Sequence, residues 1–231
     1  MSLANREVRR LTVLSQSTNL RGHAMTAADR RGSVLRLVLA LSMLVAARPA
    51  NASANNFGSD VCNTEITSQC VARTGSLVWY ASSVGAPITT AVLWADTNRY
   101  DPIAEVQMVQ TTNTSLADTW VLDGSYGMGF RAFTRCSNTA VYGVDGGETW
   151  CEDQLISFNN GSYPSEFNNI DKRRHVACHE IGHVLGLHHP STSNSSCMVS
   201  LALGSPLAEY SSRTDLTSHD ISELNNYYLN H

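Results

Sequence analysis

Residues 177–190 read ACHEIGHVLGLHHP. Four histidines, one glutamate and two glycines fall in fourteen positions. His179 and His183 are four residues apart, so on a helix their side chains stack on one face. Two imidazoles placed this way can share one metal ion at roughly 2.0–2.1 Å each. Glu180 is turned about 100° from His179 around the helix axis. That direction suits a base acting on a water beside the metal better than it suits a third ligand.

A catalytic zinc site takes three protein ligands and keeps one position open. Gly186 can adopt the left-handed conformation that ends a helix and turns the chain back. His188 and His189 then compete for the third place. The full spacing H-E-x-x-H-x-x-G-x-x-H selects His189. His175 continues the row, four residues before His179. It stands eight residues from His183, roughly 12 Å along the axis, so the row cannot surround one ion. His175 is therefore read as a surface residue or as one that supports the ligands from behind.

Downstream, STSNSSCMVS (191–200) is a polar stretch that ends near Cys197 and Met198. Six cysteines, at 62, 70, 136, 151, 178 and 197, are an even set. There is no C-x-x-C pair, so disulfides are a better reading than thiolate metal ligation. Short loops close at the least entropic cost, which favours Cys62–Cys70, Cys136–Cys151 and Cys178–Cys197. The last of these would tie the histidine helix to the segment carrying Met198.

The same residues resemble a known family. HEIGHVLGLHHP is similar to the active helix of the metzincins, in their matrixin and serralysin branch. LTSHDISELNNYY (216–228) resembles the terminal helix of that branch. Pro190 is serralysin-like, whereas Ser200 in place of a tyrosine is closer to matrixins. The resemblance implies an α+β metzincin-like (zincin) catalytic domain: a mixed twisted sheet of five strands, an active-site helix, a Met-turn at Met198 and a C-terminal helix. It implies a zinc-dependent endopeptidase that hydrolyses peptide bonds by a zinc-activated water. His179, His183 and His189 would hold Zn2+, and Glu180 would be the general base. The specificity pocket would follow Met198, within VSLALGSPLAEY, and Tyr210 is a positional candidate to face the oxyanion. A protein or peptide substrate would add as an extra strand at the sheet edge, assigned to DQLISFN (153–159). A rival reading is a zinc-binding module without catalysis, which would have no use for Glu180.

Coarse patterning agrees with such a layout. Strands are expected at 76–83, 105–111, 119–124, 129–136 and 153–159, separated by Gly- and Asn-rich turns. Helices are expected at 89–100, from an Asx cap near 169–171 to Gly186, and at 217–229. An acidic stretch with Asp145, Glu148, Glu152 and Asp153 offers oxygen ligands for a structural Ca2+, although a solvated turn accounts for it more simply.

Residues 34–47 (VLRLVLALSMLVAA) form an apolar run preceded by Arg30 and Arg31 and followed by small residues. This reads as a secretory signal peptide within residues 1–52, with an N-terminal extension before Met25. The run is shorter than the roughly 20 apolar residues of a membrane span. Residues 53–231 would then be a single metalloprotease catalytic domain, secreted and monomeric, with no stable membrane association. Of the 16 basic and 20 acidic residues in the chain, eight Arg and two acids lie in 1–52. The remaining eight and 18 give a formal net charge of −10. Such a domain is a poor partner for nucleic acid, which needs a basic face.

Overall fold

The computed structural model describes residues 71–127, 129–141, 149–190 and 195–230. The chain begins with strand β1 (Ser76–Ser82), then helix α1 (Ala86–Ala95) and a π-helical turn over Asp96–Tyr100. Strands β2 (Gln107–Gln110), β3 (Thr119–Asp123), β4 (Ala132–Val141) and β5 (Thr149–Phe158) follow. Helix α2 (Ile170–Val184), short helix α3 (Leu207–Ser211) and helix α4 (Ser218–Leu229) complete it.

The strands form one sheet in the order β2-β1-β3-β5-β4. The first four run parallel and β4 is antiparallel to β5. This corrects the edge assignment. Strand β5 pairs on both sides, with β3 through Thr119↔Gln154 and with β4 through Cys136↔Gln154. Its backbone groups are therefore used up, and β4 is the edge. The edge at 153–159 is implied by the family resemblance alone, and nothing within those residues reports whether a neighbour exists on each side.

Helix α1 starts three residues earlier than expected, because Pro87 sits in its first turn, where the missing N–H costs nothing. It ends at Ala95, and the expected helix continues only as the π turn. That turn has a packing role. Tyr100 is fully buried and its hydroxyl donates to the Cys178 carbonyl at 2.6 Å. The fully buried Trp79 of β1 donates its indole N–H to Asp96 at 2.8 Å. The β4–β5 hairpin is longer than expected and carries a register shift between Cys136 and Asn138. The Cys136–Cys151 disulfide clamps it near that irregularity. Cys178–Cys197 is also formed, as expected, while residues 62 and 70 lie outside the described residues.

Helix α2 begins where Asn169 accepts the Asp171 N–H at 2.8 Å, an Asx cap. From Val176 to Val184 most of the helix is buried against α1 and the sheet. Helix α4 starts with a reciprocal capping box between Thr217 and Asp220. Its Tyr228 hydroxyl donates to the Leu185 carbonyl at 3.0 Å, which locks the end of α2. No helix among the described residues is long and apolar enough to cross a membrane.

Gly182 shows how tightly α2 is seated. A Cβ there would overlap Met198 Sδ and lie 2.9 Å from Met198 Cε and 3.0 Å from the Tyr100 hydroxyl. Overpacking of this kind costs about 1–3 kcal/mol. Gly182→Ala should lower the unfolding free energy by that amount, with a matching fall in the urea midpoint, and weaken metal retention, because Met198 must move. Urea unfolding with and without chelator measures both effects. An unchanged midpoint would mean that Met198 yields freely.

Candidate metal centre

Helix α2 ends at Val184, and Gly186 follows with φ of +95°, in the left-handed region. The Leu187 N–H returns to the Gly182 carbonyl at 2.8 Å, closing the reversal. The turn brings His189 back over the helix face that carries His179 and His183. The three Nε2 atoms lie 3.1, 3.1 and 3.0 Å from one another. This is the single His/Cys/Asp/Glu grouping with metal-binding geometry among the described residues.

The donor chemistry fits a cation. His179 Nδ1 lies 2.8 Å from the Cys197 carbonyl, and His183 Nδ1 lies 2.7 Å from the Leu187 carbonyl. A carbonyl only accepts, so both Nδ1 atoms carry the hydrogen and both Nε2 atoms present a lone pair. Two facing lone pairs 3.1 Å apart repel unless a cation sits between them. Nitrogens sharing one tetrahedral zinc stand roughly 3.3–3.4 Å apart for bonds of about 2.0–2.1 Å, close to the spacing here. Burial pushes His183 down to about 3, helped by the neighbouring His189, and pushes His179 well below the usual imidazole range. Burial also lowers His189. All three are held as neutral imidazoles, the form that can bind a metal.

His188 does not join them; its Nε2 is buried with no hydrogen-bond partner among the described residues. His175 is buried, not superficial. Its Nδ1 donates to the Arg213 carbonyl at 2.6 Å, and its ring lies 5.9 Å from that of His179. Met198 is fully buried beside Gly182. Asp145 and Glu148 lie outside the described residues, while Glu152 and Asp153 belong to β5. Calcium finds no support there.

Glu180 is 4 % exposed and faces the same cleft as the three histidines. Burial raises its carboxyl to about 7, against the lowering effect of Thr134. The Thr134 hydroxyl, on edge strand β4, is 2.9 Å from Glu180 Oε2 and 3.0 Å from the Glu180 carbonyl oxygen. Sequence reasoning missed Thr134, since nothing local marks one threonine in a strand as the partner of a glutamate 46 residues away.

The cleft has a volume of about 470 Å³. Strand β4 and its approach line one side, with Phe130, Arg131 and Phe133; Leu201 and Leu203 line another. The segment after Met198 thus reaches the cleft, as expected. Tyr210 is a correction. It is fully buried, and its hydroxyl donates to Glu166 at 2.8 Å instead of facing the cleft. Five-residue helix α3 turns it inward, edge-on to His175 at 5.4 Å.

The sequence pattern of the Matrixin family matches residues 98–229, a span that contains the whole centre. The chain belongs to the matrixin family. Matrixins are zinc metalloendopeptidases, and the five-stranded mixed sheet over the histidine helix is their metzincin fold. No curated protein sequence matches this matrixin. Among solved structures it is similar to a crystal structure of myroilysin, at 12 % identity and a TM-score of 0.41, over 79 % of this chain and 96 % of that one. A second myroilysin structure aligns at 12 % identity and a TM-score of 0.33, and the matrixin spans only 52 % of its length and 52 % of its own. The hatching enzyme zinc-protease high choriolytic enzyme 1 from the medaka fish Oryzias latipes is 16 % identical, with a TM-score of 0.40, over 73 % of this chain and 99 % of that one.

Proposed function

We propose that this matrixin is a secreted, monomeric endopeptidase in which His179, His183 and His189 hold one zinc ion and Glu180 is the general base. The observation that carries this reading is the pair of facing Nε2 lone pairs, closed by His189, in a cleft that also exposes a buried carboxyl. A bound zinc supplies Lewis-acid polarisation of a carbonyl and a lowered pKa for water. Glu180 takes the proton of the attacking water and passes it to the leaving amine. The Thr134 hydroxyl bonds Oε2 and helps fix the orientation of the Glu180 carboxylate in the cleft.

The edge of β4 supports the substrate assignment. Among the described residues β4 pairs only with β5, so its other side has free N–H and C=O groups beside the cleft. An extended peptide can use them as a further strand. His179, His183, His189 and Glu180 all come from one chain, so the site needs no residue from a partner subunit. The apolar run at 34–47, the basic pair before it and the disulfides support export, with a signal region in 1–52 and the catalytic domain in 53–231.

The test is paired. The purified chain with intact disulfides should carry one zinc by elemental analysis and hydrolyse casein. A zinc chelator should remove both, and added zinc should restore both. One bound zinc without hydrolysis of casein or of a mixed peptide library would favour the non-catalytic module. No bound zinc would end the reading.

A further inference from the structure

The segment from Met198 to α3 has no helix or strand, yet it forms a wall of the cleft. Its shape therefore depends on bonds to other parts of the molecule. Most of those bonds come from two residues. The Arg131 guanidinium donates through Nη1 to the Leu201 carbonyl at 2.5 Å and through Nη2 to the Ala202 carbonyl. Its Nε donates to Glu166 Oε2 at 2.9 Å. Glu166 Oε1 in turn accepts the Gly204 N–H at 3.2 Å.

Both residues are themselves fastened to the frame. The Arg131 carbonyl accepts the Asn159 N–H at 2.7 Å, at the end of β5. Glu166 takes the Tyr210 hydroxyl at 2.8 Å and stands 3.5 Å from Lys172 in the first turn of α2. The Arg131 and Glu166 side chains are 9 % and 7 % exposed, so solvent competes little for the ion pair between them, while the Arg131–Ala202 bond lies at the surface. Burial alone would raise the Glu166 carboxyl; Arg131, Tyr210 and Lys172 outweigh it and hold it below the usual range.

We propose that Arg131 and Glu166 are positioning residues that set the separation of the two cleft walls, and so decide which substrate side chains the cleft admits. The assignment rests on the peptidase reading. Arg131 lines the cleft beside β4 and grips the backbone of the segment after Met198, so the fork resists separation of these two parts of the lining. A planar fork suits the task because three separate nitrogens bond Glu166 and two adjacent carbonyls at once; a lysine offers one nitrogen without that fixed geometry. The pair lies outside the bonds that orient His179, His183 and Glu180.

The experiment uses the full zinc-loaded chain and its variants Arg131→Lys, Glu166→Gln and Tyr210→Phe. Peptides identical except for Ala, Leu, Phe or Trp at one residue flanking the scissile bond are compared by kcat/KM. In the two clasp variants the Trp-to-Ala ratio should shift at least about tenfold, the scale of a pocket losing its fit. The shift should lie in KM more than in kcat, and zinc affinity should stay within about threefold of wild type. Tyr210→Phe should give a smaller shift in the same direction. An equal fall for every peptide, or an unchanged ratio, would overturn the proposal. Hydrogen exchange provides an arm that needs no turnover. Amides 201–205 should exchange faster in Glu166→Gln while α2 stays protected, and unchanged exchange there would also overturn it. Failure of wild type to cleave any peptide would count against the peptidase reading alone, with the exchange arm still deciding the clasp.

Discussion

Glu180→Gln should lower kcat by about 10²–10⁴-fold, the usual contribution of a positioned general base, and leave one zinc per chain. Glutamine matches glutamate in length and keeps an oxygen to accept the Thr134 hydroxyl, so the cleft should keep its shape. What it loses is a basic site. The amide cannot take a proton from water near neutral pH. His179 and His183 do not depend on Glu180 for orientation, because they are held by the Cys197 and Leu187 carbonyls. His183→Ala is the contrasting variant, expected to lose zinc and activity together. Steady-state kinetics and elemental analysis on the same preparations separate the two. Activity within tenfold of wild type in Glu180→Gln would assign the base to another group.

The second large effect concerns the Cys178–Cys197 disulfide. Cys178 precedes His179, and Cys197 precedes Met198; both cysteines are fully buried. The Cys197 carbonyl is the group that accepts the His179 Nδ1 hydrogen. One covalent link therefore holds the helix beside its own orienting partner. Loss of a ligand's supporting hydrogen bond typically costs 10–100-fold in metal affinity. The bridge also closes a loop with a sequence separation of 19, worth on the order of 3 kcal/mol in the loop-entropy model. The double variant Cys178→Ala/Cys197→Ala should lose both stability and zinc affinity. Cys136→Ala/Cys151→Ala, which opens only the β4–β5 hairpin, should lose stability and keep zinc affinity within about threefold. Competition with a chromophoric chelator, run beside urea unfolding, measures each quantity. Equal zinc affinity in the two double variants would show that the active-helix bridge is a staple and nothing more.

Both predictions join a feature legible in the sequence to one that was not. The meeting of three imidazoles was legible because helical spacing and a left-handed glycine are local rules, acting over His179–His183 and at Gly186. The disulfide pairs seen were legible because loop closure favours near partners. Strand and helix positions came through with shifted ends. Pro87 moved the start of α1, and the hairpin around Cys136 and Cys151 lengthened β4 and β5.

The errors share one cause. The edge strand and the role of Tyr210 are properties of neighbours distant in the chain. Strand β5 became internal only because β3 and β4 took its two sides. Tyr210 turned inward only because Glu166, 44 residues away, offered it a buried acceptor. Thr134 on Glu180 and Arg131 on Leu201 belong to the same group, with separations of 46 and 70 residues. A fourteen-residue string was enough for the histidine helix, its reversal and the family. The wall of the cleft, its fasteners and the free sheet edge needed the fold, since long-range pairing follows from packing and leaves no periodic trace in the chain.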